Sequence, residues 1–344
     1  MPMRGLVFDG PGEIRFAEDL ADPGITEPTD AIVDVTLAGV CGSDLHPYDG
    51  REACAPGVIP GHEAVGVVAS TGSAVTTIEP GDRVIVAFTV SCGSCDRCQD
   101  GISSRCRLSR LFGWGDPTGA SPPLHGAQAQ RIRVPLADGT LVKVPDGIDD
   151  ATAVLLTDNF PTAWHAFDRT DWSRGPVAVI GLGAVGLCVV AAARARGATE
   201  IVGFDPVAAR RRAGELLGAS TASPDDSAAE FSAVVEAAGP PSAQRLAAAV
   251  AAVGATVSII AVQTADSFAI DPIVAYDKNL TIRAGRAPVR SVVDQILEGV
   301  ANGSIVVPSE TVITHPDMPL EDGPGLYRAF AARDDHLIKA TFRP

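Results

Sequence analysis

The sequence is poor in aromatic residues, in positive charge and in long apolar runs, and each shortage removes a class of function. Aromatics make up 5% of the chain, and acidic residues outnumber basic ones to give a net charge of −15. A chain this acidic repels phosphate backbones, which argues against nucleic acid as a partner. Its one tight basic cluster, Arg210-Arg211-Arg212, reads as a solvated helix face because adjacent helical residues point in different directions. The longest uncharged apolar stretch, Val177–Ala193, falls short of the ~20 residues a spanning helix needs and is interrupted by Gly181, Gly183 and Gly186. Met1 to Asp9 lack the apolar core of a signal peptide, so the expectation is a soluble, cytoplasmic protein without a membrane partner.

Cysteine is also scarce, and its pattern is informative. Seven cysteines, an odd number in a long chain without a secretion signal, argue against a disulfide framework. Four of them form Cys92-x2-Cys95-x2-Cys98-x7-Cys106. Thiolates at these short spacings can wrap a tetrahedral Zn²⁺, with free thiols or an iron–sulfur cluster as the alternatives. A four-sulfur shell leaves no open position, so this lobe (residues 91–107) is expected to be structural.

The 344 residues suggest two domains. Up to about residue 150 the chain reads as short, turn-separated, Val-rich strands, among them Ala31–Leu37, Ala64–Ala69 and Arg83–Ala87. From Val177 wholly apolar strands alternate with Ala-rich helices. Strands are expected at Val177–Ile180, Ile201–Phe204, Ala233–Glu236, Thr256–Ala261 and Leu280–Ala284. Helices are expected at Ala184–Arg196, Pro206–Leu217 and Ser242–Val253. That alternation implies a parallel sheet covered on both faces. One more helix, Ser291–Asn302, precedes a polar tail.

Between the first strand and helix of this region lies Gly181-Leu182-Gly183-Ala184-Val185-Gly186. In that context G-x-G-x-x-G is the dinucleotide fingerprint: a tight turn, a close backbone approach to pyrophosphate, and close helix–sheet packing. The helix N-terminus offers free N–H groups to the phosphate. Asp205 ends the following strand, where a carboxylate accepts from the adenosine ribose hydroxyls and favours NAD over NADP.

In order along the chain stand Gly39-Val40-Cys41-Gly42-Ser43-Asp44-Leu45-His46, Gly61-His62-Glu63-Ala64-Val65-Gly66, Gly81-Asp82-Arg83-Val84, the four-cysteine lobe and the glycine turn. Together they resemble the zinc-dependent alcohol dehydrogenases of the medium-chain dehydrogenase/reductase superfamily over nearly the whole chain. Leu155 to Thr162 and the N-terminal Gly-Pro-Gly-Glu-Ile-Arg stretch look most like the formaldehyde-dehydrogenase-like branch.

The resemblance implies an α/β protein: a catalytic domain (1–158) built on a chaperonin-10-like β-barrel, a Rossmann domain (159–288), and a C-terminal return to the catalytic domain (289–344), with substrate and nicotinamide in a cleft between domains. It implies two zinc ions per chain and exchangeable NAD. The catalytic zinc would be held by Cys41, His62 and Asp158, with Glu63 as the second carboxylate beside it. Asp44 would fix the tautomer of His62. Ser43 and a surface His46 would relay the alcohol proton. Cofactor contacts carry over to Thr162, Arg210, Ala237, Ala238, Ile260, Ala261 and Val262, and Lys339 would reach the pyrophosphate. Phe88 and Trp114 are candidates for the substrate pocket. The expected reaction is reversible hydride transfer between NAD and a primary or secondary alcohol, in a homodimer or homotetramer. A polyol dehydrogenase and a non-catalytic NAD-binding relative are the alternatives.

Overall fold

The computed structural model describes residues 2–226 and 230–344. The chain divides into two units: Met1–Asp158 with Pro288–Ala301 and Ile313–Pro344, and Asn159–Ala287 with Asn302–Val312. The segment Asn302–Val312, given to the C-terminal return in the sequence reading, therefore belongs to the second unit. Its short helix Ser309–Val312 lies against the helices Ala184–Ala195 and Ala208–Leu216.

The first unit opens with an antiparallel hairpin, β1 (Met3–Gly10) and β2 (Glu13–Leu20). Then follow β3 (Ala31–Val40), β4 (Glu63–Thr71), β5 (Arg83–Val86), β6 (Arg131–Val134) and β7 (Leu141–Lys143). The second unit contributes β8 (Val177–Ile180), β9 (Ile201–Phe204), β10 (Ser220–Ala222), β11 (Phe231–Glu236), β12 (Ala251–Ile259) and β13 (Thr281–Ala284). Back in the first unit come β14 (His315–Met318) and β15 (Ala340–Phe342).

In the first unit the strands run in the order β14-β15-β3-β4-β5-β7, with β6 also on β3. The two longest of these strands, β3 and β4, pair antiparallel and put Gly39 opposite Glu63. On its other side β15 sets Ala340 opposite Val40. The end of β3 is thus flanked by the start of β4 and by the residue before β15, Lys339. Val33, Val35, Ala64, Val68, Val84 and Ile132 belong to the apolar core over this sheet.

The second unit is a parallel sheet in the order β10-β9-β8-β11-β12-β13. Sequence order reverses between β8 and β11, the topological switch point at which doubly wound sheets bind dinucleotides. All four residues of β8 are buried, as a strand covered on both faces requires. The expected helix at Ser242–Val253 gives way to strand at Ala251, because the helix Pro241–Val250 already brings its buried Ala247, Ala248 and Val250 onto the core. Most of the expected polar tail is ordered: the helix Gly323–Ala331 buries Leu326 and Tyr327 against Leu6, Leu45 and Tyr48.

Candidate metal centre and cofactor turn

Cys41 leaves the end of β3 and enters a tight turn, Gly42–Asp44, which the Asp44 carboxylate closes by accepting from the Cys41 N–H at 2.9 Å. His62 sits between Gly61, whose φ of +91° only glycine adopts readily, and the first residue of β4. Asp158 lies between the helix Asp150–Leu155 and the helix Asn159–Asp168. Three distant stretches converge. Cys41 Sγ is 3.7 Å from Asp158 Oδ2, and His62 Nε2 is 3.5 Å from the same oxygen. Glu63 supplies a fourth group, and the donor atoms of all four lie within 4.8 Å of one another.

Why Glu63 turns inward is set by its opposite number. A Cβ on Gly39 would lie 1.8 Å from Glu63 Oε2, so the carboxylate occupies the space that glycine leaves. Its partner is Lys339, whose Nζ donates to Glu63 Oε2 at 2.5 Å and to the Val40 carbonyl at 3.3 Å. Both side chains are buried. The expectation that Lys339 reaches a cofactor pyrophosphate is corrected accordingly: register with β3 places its ammonium at the metal cluster as the counter-charge of Glu63.

Electrostatics fit a divalent cation. Burial, reinforced by the Glu63 and Asp158 carboxylates, pushes the Cys41 thiol up. Burial alone would lower His62, but Asp44 and Asp158 override it and hold the imidazole well above its ordinary range. Glu63 is raised by burial and by Asp158, against the pull of Lys339. A metal ion would take the place of the protons on Cys41 Sγ and His62 Nε2. Thiolate, imidazole and carboxylate around one point, with His62 Nδ1 held 3.1 Å from Asp44 Oδ1, form a zinc donor set with an outer carboxylate. Phe88 is buried beside it, its ring 6.1 Å from that of His62 and edge-on. Ser43 Oγ is 3.5 Å from His62 Nε2.

His46 departs from expectation. It is buried rather than at the surface, its Nδ1 has no hydrogen-bond partner, and the nearest carboxylate oxygen, on Glu52, is 4.0 Å away. Burial and Arg51 lower its pKa, which favours the neutral ring. The cause is local: the helix Leu45–Tyr48 buries Leu45 and Tyr48 in the core and takes His46 down with them. Trp114 donates its indole N–H to the Ala53 carbonyl, 61 residues earlier, at 3.0 Å.

The four-cysteine lobe is also assembled. Cys106 Sγ lies 3.5 Å from Cys92 Sγ and 3.8 Å from Cys95 Sγ, and Cys98 completes the group. These are close to the ~3.8 Å edges of a tetrahedron with ~2.3 Å Zn–S bonds. Backbone N–H groups of Cys95, Cys92 and Leu108 point at the sulfurs from 3.3, 3.3 and 3.4 Å, the charge compensation thiolates need. At Cys92 burial opposes ionisation, but donors from Ser94 and Cys95 override it and bring the thiol down to about 6. None of the seven cysteines is in a disulfide.

In the second unit, Gly181 adopts a φ of +91°, and a Cβ there would strike Ala238 at 2.7 Å. A Cβ on Gly186 would lie 1.8 Å from the Gly181 carbonyl, whereas one on Gly183 would meet nothing within 4 Å. The open space is at the N-cap of the helix Ala184–Ala195, which no side chain caps. An anion fits there on both counts. Val185 follows in the first turn of that helix. Asp205 is buried at the end of β9; its Oδ2 accepts from the Leu182 N–H and its Oδ1 from the Val207 N–H, both at 2.8 Å. Arg211, not Arg210, is bonded to this segment, donating to the Asp205 carbonyl at 2.7 Å, while Arg210 Nε is buried without a partner. Glu236, a residue the sequence reading passed over, ties the remaining candidates together. One carboxylate oxygen accepts from Ala238 and Gly239, its carbonyl accepts from Ile260 and Ala261, and the Ala237 N–H reaches back to Ile180. Val262 is exposed and Thr162 is buried on its helix.

The model of the alcohol dehydrogenase GroES-like domain matches residues 27–146. A probable zinc-binding alcohol dehydrogenase of Mycobacterium tuberculosis is 34% identical, over 99% of this chain and 89% of that protein. The chain belongs to the zinc-dependent alcohol dehydrogenases. Zinc-type alcohol dehydrogenase B of Aspergillus flavus is 36% identical over 86% of this chain and 72% of its own. Among solved structures, an alcohol dehydrogenase from Thermus sp. ATN1 superposes with a TM-score of 0.89 at 31% identity, over 99% of both chains. As a member of this family the protein is a zinc-dependent oxidoreductase acting on CH–OH groups and small molecules, with a GroES-like unit and a Rossmann unit. Among the described residues no helix is long and apolar enough to cross a membrane.

Proposed function

We propose that this alcohol dehydrogenase transfers hydride reversibly between NAD and a small primary or secondary alcohol, using a zinc ion held by Cys41, His62 and Asp158. The observation that carries this is the convergence of those three donor atoms, with Glu63, on one buried point. Bound there, zinc would supply Lewis acidity that lowers the pKa of an alcohol. The chain's own residues do the rest. Asp44 holds the Nδ1 proton of His62, which leaves Nε2 as the metal-facing lone pair. Glu63 and Lys339 cancel each other's charge, so the donor set offers the carboxylate of Asp158 and the thiolate of Cys41 against two positive charges. Ser43, 3.5 Å from His62 Nε2, is placed to take the alcohol proton through its hydroxyl. Phe88 covers the imidazole edge with an apolar wall.

On the cofactor side, the glycine turn and uncapped helix start suit pyrophosphate. The carboxylate of Asp205 favours ribose hydroxyls over a 2′-phosphate, although a putative zinc-binding dehydrogenase from Sinorhizobium meliloti 1021, 26% identical with a TM-score of 0.84, was solved bound to NADP. Cytoplasmic location and assembly as a homodimer or homotetramer complete the reading. The assembly finds support in β13, an edge strand whose four residues are all exposed and whose outer side no described strand pairs. A panel of alcohols and polyols, followed at the NADH absorbance with zinc counted per chain, tests the proposal. The expectation is two zinc ions and turnover in the parent, and one zinc ion and no turnover in Cys41→Ser. Full turnover in Cys41→Ser would overturn the ligand assignment.

A further inference from the structure

Asp44 is fixed from a third direction that the catalytic reading does not use. Its Oδ1 faces His62 Nδ1, and its Oδ2 accepts from the Cys41 N–H and, at 3.4 Å, from Gln128 Nε2. The same amide nitrogen donates to the Gly39 carbonyl at 3.4 Å. The other end of that amide, Gln128 Oε1, accepts from the Tyr327 hydroxyl at 2.9 Å, across 199 residues of sequence. Gln128 and Tyr327 are both fully buried.

The polarity of this chain is determined. Burial and the nearby Asp44 carboxylate push the Tyr327 phenol well above its ordinary pKa, so it stays protonated and donates. A donor at Oε1 turns the –NH₂ end of Gln128 toward Asp44 and Gly39, which are both acceptors. Asp44, held on Oδ2 by two donors, then presents Oδ1 to His62. Packing enforces the same arrangement. A Cβ on Gly61, the residue before His62, would strike Gln128 Cγ at 2.6 Å, so the amide lies directly on the His62 segment. Backbone bonds from Ala127 to Gly61 and from Gln128 to Pro60, both 3.0 Å, lock the two segments together. The Tyr327 ring rests 5.5 Å from that of Tyr48, on the short helix that follows Asp44.

We propose that Gln128 and Tyr327 are positioning residues of the catalytic metal, which set the orientation of His62 through Asp44. This rests on the assignment of the zinc to Cys41, His62 and Asp158. In buried hydrogen-bond networks around metals, outer partners influence affinity as well as rate.

The test is zinc release from the full-length holoenzyme to a chromogenic chelator, beside steady-state kinetics. Tyr327→Phe removes one hydroxyl and keeps the ring. The structural zinc in the four-cysteine lobe reports that the variant is folded. The expected result is release of the catalytic zinc ~10-fold faster than in the parent, with kcat lowered and the KM for NAD unchanged. Gln128→Met, of similar volume, should give at least the same acceleration and serves if Tyr327→Phe does not fold. In an Asp44→Asn background, adding Tyr327→Phe should change release by less than about twofold, because the path to His62 is already broken. Parental release rates in the single variants, or an undiminished effect in the Asp44→Asn background, would overturn the proposal. A parent holding only one zinc would instead overturn the metal assignment on which it rests.

Discussion

The pair Glu63–Lys339 shows how one glycine can dictate chemistry on the strands to either side of it. Gly39 leaves room for a carboxylate, the carboxylate needs a counter-charge, and the neighbouring strand brings an ammonium to 2.5 Å. Replacing Lys339 with Met removes the buried ammonium that faces the Glu63 carboxylate. The expected loss is ~3–5 kcal/mol of stability, read from urea unfolding midpoints, with a smaller loss for the double replacement Glu63→Gln, Lys339→Met. An unchanged midpoint for Lys339→Met would refute the pairing. The proposed metal donors were legible in the sequence: Cys41 and Gly61-His62-Glu63 through their motifs, and Asp158 through its place in the family resemblance. Lys339 and the depth of His46 were not. Their environments are created by register across sheets and by a helix too short to show periodicity. Gln128 and Tyr327 were equally invisible, since their partnership spans most of the chain.

Among the elements, β3 does the most to organise the first unit, and its start is anchored by Asp30. This carboxylate has no exposed surface; its Oδ2 accepts from Thr26, Glu27 and the Arg133 guanidinium. Burial works against its ionisation, but those donors override it and hold its pKa below the ordinary value. The folded pKa is depressed, so the stabilisation is present above the unfolded carboxylate's pKa and is lost as pH falls through the folded value. Asp30→Asn should therefore cost ~1–3 kcal/mol at pH 7, with the difference from the parent shrinking as pH falls through the folded carboxylate's pKa in denaturant titrations. A penalty independent of pH would refute this account. At this scale the sequence was informative where strands are mostly apolar, as at β8, β9 and β11, and where helices alternate with them. It was silent for β10, with its exposed and half-buried residues, and for β14 and β15, whose short runs gain their pairing only from distant strands.

Two features act on the molecule as a whole. The outer edge of β13 carries Ile282 exposed, and the preceding helix Pro272–Asp277 exposes Ile273 and Tyr276. An apolar edge of this kind suits pairing with a second copy. Ile282→Lys should shift the mass seen by light scattering toward the single chain, whereas an unchanged mass would place any assembly elsewhere. The second feature is the place of β15, between β14 and β3 in the first unit's sheet. Residues 159–287 emerge from the ribosome before this strand does, so the second unit can complete most of its sheet while the first still has a gap beside β3. Until Lys339 arrives, Glu63 lacks the ammonium that it faces in the folded unit. The pairing of Glu63 with Lys339 is thereby deferred until the nucleotide-binding half has been made.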